Sequence, residues 1–220
     1  MGILLKKLKR KITKILAYRP LVELRLKRKR RAAKRKIFID CGSNTCRILR
    51  IQIEKRPGFE FYAFEAQPGL AKEGKKVVSE YPHKSIHFFN KAVWIDDSKL
   101  NFFLATEWGN NYKGGSTILS GHAKKAMIDY SKPFEVECID FSKWILDNFA
   151  DTDDYVVVKM DIEGAEYEIL EKMIKDGSIR YIDELFVEYH WMMNETISRK
   201  RHDALLDKLK KEKTKVVEWI

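Results

Sequence analysis

With 220 residues the chain has room for one domain with a substantial core, and not for two ordinary domains and a linker. A hydrophobic share of 45%, with nine Tyr, twelve Phe and five Trp, excludes a disordered chain. The net charge of +11 is concentrated at one end: residues 1–36 hold 16 Lys or Arg against one acid, Glu23, and the remaining 184 residues carry a net −4. The isoelectric point of the whole chain is therefore no argument that the body binds nucleic acid.

In chain order, residues 3–16 predict a basic amphipathic helix. Leu5, Leu8, Ile12 and Ile15 recur at helical spacing, Leu4 and Leu16 widen the stripe, and six Lys or Arg cover the rest. Pro20 interrupts, and the basic run Lys27 to Lys36 repels itself, which predicts a linker or frayed helix. Residues 1–36 are thus a tail, and a folded domain spans 37–220. Strands are expected at 37–40, 61–65 and 86–89, with a helix at 69–80. Two hairpin strands follow near 92–95 and 100–104, turning at Asp96-Asp97-Ser98, and then a long polar loop over 106–132. After that come a strand at 134–139, a helix at 141–149, a strand at 155–160 that is apolar but for Lys159, and a helix at 164–175. A strand at 185–189, a charged helix at 197–212 and a strand at 215–219 end the chain. Strands alternating with helices predict an α/β fold, a mainly parallel sheet with helices on both faces. Cys41, Cys46 and Cys138 are odd in number and in no metal-like spacing, which favours a reduced, cytoplasmic interior. No apolar run reaches 18 residues, so no membrane span is expected.

In parallel sheets ligands bind beyond the carboxyl ends of the strands. Four such ends carry polar residues: Asp40, Glu65, Asp161 with Glu163, and Glu188 with His190. Asp40 leads into Gly42, Ser43 and Asn44, where a glycine lets the backbone approach a ligand. Glu65 lies 25 residues further on, placed to accept hydrogen bonds from two ribose hydroxyls. Capping of turns or helices accounts for both acids equally well. Residues 42–47 supply only Gly42 of the three glycines in Gly-x-Gly-x-x-Gly, which argues against a dinucleotide and a nicotinamide-dependent oxidoreductase. S-adenosylmethionine, with ribose and adenine but no phosphates, suits the turn better.

Several ordered segments over residues 36–191 resemble the FkbM-type family of S-adenosylmethionine-dependent methyltransferases. They are Phe38-Ile39-Asp40-Cys41-Gly42-Ser43-Asn44-Thr45, Ala63-Phe64-Glu65-Ala66-Gln67-Pro68, Asn90-Lys91-Ala92-Val93, Gly114-Gly115-Ser116-Thr117 and Val136-Glu137-Cys138-Ile139-Asp140. The most specific is Lys159-Met160-Asp161-Ile162-Glu163-Gly164-Ala165-Glu166, and Glu184-Leu185-Phe186-Val187-Glu188-Tyr189-His190 also fits. The resemblance implies a class I, Rossmann-like methyltransferase fold and methyl transfer, usually to a hydroxyl oxygen, on sugars or polyketide-like natural products. It implies that Asp40, Gly42, Ser43, Asn44, Glu65, Asn90 and Asp161 surround the donor. The acceptor hydroxyl must lose a proton. His190, with an ordinary pKa near neutrality, is the first candidate base and Asp161 the second. Glu163 and Glu188 either orient that base or, with Asp161, hold a divalent metal such as magnesium. Trp108, Asn110, Asn111 and Tyr112 are candidates for acceptor contact. The sequence departs from the family at Cys46, where another glycine is usual, and in fitting one last strand where a two-strand hairpin is usual. Residues 1–36 fit an anionic membrane surface through their apolar stripe better than nucleic acid, for which only Tyr18 interleaves the basic residues, and a solubilising or disordered extension is the third reading. The competing reading is a catalytically impaired methyltransferase-like module whose tail does the binding.

Overall fold

A computed structural model describes residues 20–105, 115–120 and 128–219. The expected helix at 3–16 and the residues Trp108, Asn110, Asn111 and Tyr112 lie outside the described residues. Residues 20–32 are helical (α1). Next come β1 (Lys36–Cys41), α2 (Arg47–Lys55), β2 (Glu60–Phe64), α3 (Ala71–Glu80), β3 (Ile86–Phe89), β4 (Ala92–Trp94) and β5 (Lys99–Phe102). Then follow β6 (Phe134–Asp140), α4 (Phe141–Phe149), β7 (Tyr155–Met160), α5 (Glu166–Asp176), β8 (Glu184–Val187), α6 (Arg199–Leu209) and β9 (Lys215–Glu218).

The main sheet runs β3-β2-β1-β7-β8-β9, and every pairing in it is parallel. Its central strands are buried on both faces, which is why they read as apolar runs without alternation. Side chains still alternate in direction. Ile37, Ile39, Val156, Val158 and Met160 pack with α4, α5 and α6 through Ile145, Leu170 and Leu205. Phe38, Tyr155 and Val157 pack on the opposite face with Leu49 and Ile53 of α2 and Val77 of α3. Each such side chain contributes roughly 1.5–3 kcal/mol by leaving water.

Two expectations need correction. Strands β4 and β5 do not form a hairpin with each other. Both flank β6, β4 in parallel and β5 antiparallel, in a second sheet of order β4-β6-β5. The basic run is not wholly a linker or frayed end. Helix α1 continues to residue 32, with Leu26 buried in the core beside α2, and Lys29 ion-paired with Asp183 at 2.8 Å. Arg35 reaches Asp154 through two hydrogen bonds, of 3.1 and 2.5 Å, immediately before β1. Helix α2 is not among the expected elements. Only Leu49 and Ile53, one turn apart, are buried among its nine residues.

The single terminal strand β9 pairs in parallel with β8. Cys46 is the residue before α2 and has φ +57°, a conformation in which glycine carries no steric penalty. Its side chain is fully buried in the core with Phe38 and Leu49, so it packs beneath the turn. All three cysteines are buried and free. Among the described residues no helix is long and apolar enough to cross a membrane.

Candidate active site

The parallel register brings the strand ends into one row. Phe89, Phe64, Cys41, Met160 and Val187 are neighbours across β3, β2, β1, β7 and β8. The next residue along each strand is Asn90, Glu65, Gly42, Asp161 and Glu188. Residues widely separated in sequence thus meet at one edge because the sheet is parallel and in register.

At β1 the chain turns through Gly42, with φ +80°. A Cβ on Gly42 would sit 1.9 Å from the carbonyl oxygen of Asp161, so no other residue fits. The N–H groups of Gly42 and Ser43 both donate to the Phe64 carbonyl at 3.0 Å. The Ser43 hydroxyl donates to the Asp40 and Phe64 carbonyls at 3.2 Å. Glu65 is nearly buried, and its two carboxylate oxygens accept the N–H groups of Asn44 (2.7 Å) and Gln67 (2.8 Å). Burial pushes the Glu65 pKa up, against those backbone hydrogen bonds. The Asn90 amide donates to the Glu65 carbonyl at 2.7 Å. Ser43 and Asn90 therefore brace the turn and strand end, while Gly42, Asn44, Glu65, Asp161 and Glu163 line a cleft. Val93, outside that row, adds an apolar wall.

Behind the cleft lies a feature that the motif contained but whose role the sequence reading missed. Lys159 is paired in register with Asp40 and is buried. Its ammonium lies 3.2 Å from Asp40 Oδ1, 3.2 Å from Asp161 Oδ2, and donates to the Gly42 carbonyl at 2.9 Å. Burial alone would lower its pKa, but the charges and hydrogen bonds of Asp40 and Asp161 outweigh that and raise it. Burial raises the pKa of Asp40, which is completely enclosed, and Lys159 opposes the rise. The signal was available: one charged residue inside an otherwise apolar central strand requires a buried partner.

Beyond β7 a second organiser was also missed. Glu166, fully buried, accepts the N–H groups of Ile162 and Gly164 at 3.0 Å and pairs with His190 Nδ1 at 2.9 Å. The other ring nitrogen of His190 faces three acids: Glu163 at 3.5 Å, Glu188 at 3.7 Å and Asp161 at 3.9 Å. Burial alone would lower the His190 pKa, but the hydrogen bond and charge of Glu166, with Glu163 and Asp161, bring it up to about 9. Held in this way, the ring keeps its proton more firmly than a free imidazole does, which weakens it as a general base. Glu188 is half-buried and its pKa is raised by burial and by Asp161. Glu163 also ties in the small-residue loop, accepting from the Gly115 N–H (2.8 Å) and the Thr117 hydroxyl (2.9 Å, to its carbonyl).

The predicted residues therefore fall into two adjoining groups. Gly42, Asn44 and Glu65 form one wall of the cleft and Asp161 and Glu163 the other, while His190 and Glu188 cluster with those two acids behind it without lining the cleft. Ser43, Asn90 and Asp40 support the first group from behind.

The family model of the methyltransferase FkbM domain matches residues 40–215. A crystal structure of methyltransferase FkbM from Methylobacillus flagellatus KT matches 80% of this chain at 13% identity, with a TM-score of 0.48. The match covers 38% of that protein's chain, so this chain spans well under two thirds of its length. No curated protein matches the sequence.

The Lys159 cluster makes a testable demand. Lys159→Met is expected to lose about 3–5 kcal/mol in chemical denaturation at neutral pH, because Asp40 is left buried without its cation. Its stability should fall as pH rises above the ordinary aspartate range. The folded state then retains a proton on Asp40 that the unfolded chain has released. Adding Asp40→Asn should restore part of the loss and flatten that pH dependence. Equal stability of the single and double variants across pH would refute the pairing.

Proposed function

The chain belongs to the FkbM methyltransferase family, and from that premise we propose that it moves a methyl group from S-adenosylmethionine to a hydroxyl oxygen of a sugar, glycan or related natural product. The observation that carries this reading is the nearly buried Glu65 carboxylate, held by two backbone N–H groups at the wall of a cleft it shares with Asp161. The charge of the cleft fits such a donor. Glu65, Asp161 and Glu163 line it with Lys91, a net negative setting that disfavours a pyrophosphate and suits a nucleoside bearing a sulfonium and an ammonium group. When bound, that donor supplies an electrophilic methyl carbon, whose bond to sulfur breaks, with its electron pair going to sulfur, as the acceptor oxygen bonds to carbon.

The chain's own residues then have separate tasks. Glu65 accepts hydrogen bonds from the ribose hydroxyls, and Val93 with Phe102 provides an apolar wall for the base. Gly42 lets the backbone come close. Asp161, oriented by Lys159, stands at the junction of the two walls, where the acceptor hydroxyl gives up its proton. Most of the rate enhancement comes from holding the acceptor oxygen in line and keeping water out.

Residues 1–36 support a second, independent reading as a contact with an anionic membrane surface. Helix α1 exposes Leu21 and Leu24, 66% and 46% accessible, beside Arg25, Lys27, Arg28 and Arg31. The full chain is expected to sediment with vesicles containing phosphatidylserine and not with phosphatidylcholine alone. Equal partition between the two would contradict this reading.

For the donor site, isothermal calorimetry is expected to show S-adenosylhomocysteine binding to the full chain, weakened by about tenfold or more in Glu65→Ala through loss of charged hydrogen bonds. Because burial raises the Glu65 pKa, affinity should fall on acidification at a pH above the ordinary glutamate range. Absence of binding to the wild type would overturn the proposal.

A further inference from the structure

We propose that Asp161, Glu163 and His190 form a divalent-cation site beside the cleft, with Glu188 within reach as a further oxygen ligand and Glu166 orienting the imidazole. One ligand atom from each of the first three lies within 4.8 Å of the others. His190 Nε2 is 3.5 Å from Glu163 Oε2 and 3.9 Å from Asp161 Oδ1. An octahedral ion with ligands at about 2.1 Å spaces neighbouring donors by roughly 3 Å and opposite ones by roughly 4.2 Å. Nε2 and Glu163 Oε2 are thus about half an ångström wider apart than neighbouring donors on one ion, and Nε2 and Asp161 Oδ1 lie between the neighbouring and opposite spacings.

What surrounds these atoms separates the group from a chance gathering of acids. A metal-binding histidine loses the proton on its ligating nitrogen and generally gives its other ring N–H to a carboxylate, which fixes the tautomer and aims the ligating nitrogen. Glu166 does this for His190, 2.9 Å from Nδ1, in a position sealed from solvent. The same carboxylate takes the N–H groups of Ile162 and Gly164, which flank Glu163 in the turn that carries both acidic ligands. One buried residue thus fixes the imidazole and the two carboxylates relative to each other. His190 comes from the segment after β8, and Asp161 and Glu163 from the turn after β7, so the cluster joins two chain segments.

The charges point the same way. One imidazole faces Asp161, Glu163 and Glu188 and is braced by Glu166, leaving an excess of negative charge that a divalent ion neutralises. One nitrogen with two or three carboxylate oxygens suits a first-row transition ion such as Mn²⁺ better than Ca²⁺, whose shell is all oxygen. Asp161 and Glu163 also line the cleft, so an ion held by them stands beside the place the acceptor must occupy. There it acts as a Lewis acid on the acceptor hydroxyl, lowering its pKa so that a carboxylate or water removes the proton. That use rests on the methyl-transfer reading, whereas the binding does not.

The test is a titration of the full-length chain with MnCl₂ followed by electron paramagnetic resonance, with folding of each variant checked by circular dichroism. Wild type is expected to bind one Mn²⁺. Asp161→Asn and Glu163→Gln should each weaken binding at least about tenfold, and Glu166→Gln about 10–100-fold through loss of the orienting bond. Glu65→Ala, on the other wall, should retain wild-type Mn²⁺ affinity. Glu163 is partly exposed, so Glu163→Gln decides the matter even where Glu166→Gln fails to fold. The proposal is overturned by a wild type that takes up no Mn²⁺, or by unchanged affinity in both ligand variants. Nucleoside binding without Mn²⁺ removes the cation site and leaves methyl transfer standing, and Mn²⁺ binding without the nucleoside does the reverse.

Discussion

An ammonium group buried between two carboxylates and a carbonyl oxygen holds the ends of the two central strands in place. Lys159 on β7 reaches Asp40 on β1, the carbonyl of Gly42 just beyond β1, and Asp161 just beyond β7. Each of these charges would be costly to bury alone, and together they are tolerable because each is another's partner. The arrangement also explains the glycine. The turn after β1 must pass so close to the Asp161 carbonyl that even a methyl group is excluded. The position of Asp161 in the cleft therefore follows from how β1 and β7 are joined.

Two buried ionic centres divide the work. Lys159 fixes the β1 side, where Gly42, Asn44 and Glu65 form a wall supported by Ser43 and Asn90. Glu166 fixes the β8 side, where His190, Glu163 and Glu188 converge. Asp161 belongs to both, paired with Lys159 and facing His190. This layout keeps the two halves of the proposed reaction separate. One wall has the chemistry to bind a nucleoside donor, and the other has the carboxylates to handle a hydroxyl proton. A residue that serves both walls is where donor and acceptor must meet.

Much of this was legible in the sequence because doubly buried parallel strands are short apolar runs, and here each ends in a polar residue or glycine. The row from Asn90 to Glu188 follows from that pattern once the strands are known to be parallel. Other features depend on partners remote in sequence. Strands β4 and β5 look like a hairpin because they are close in sequence, yet both hydrogen-bond to β6, more than thirty residues further on. The basic run before β1 looks self-repelling, yet Lys29 and Arg35 meet Asp183 and Asp154 from distant segments. Helix α2 shows only two buried positions, too few to mark it by periodicity. His190 stood out as a base from its ordinary pKa, and only the structure shows Glu166 behind it holding the proton on.

The central claim is that the two walls meeting at Asp161 form one donor-and-acceptor cleft. A crystal structure of the full chain grown with S-adenosylhomocysteine tests it most directly. The ribose hydroxyls should lie on the Glu65 carboxylate and the sulfur should turn toward Asp161 and His190. A nucleoside bound away from Glu65, or one whose sulfur points away from Asp161, would contradict the account.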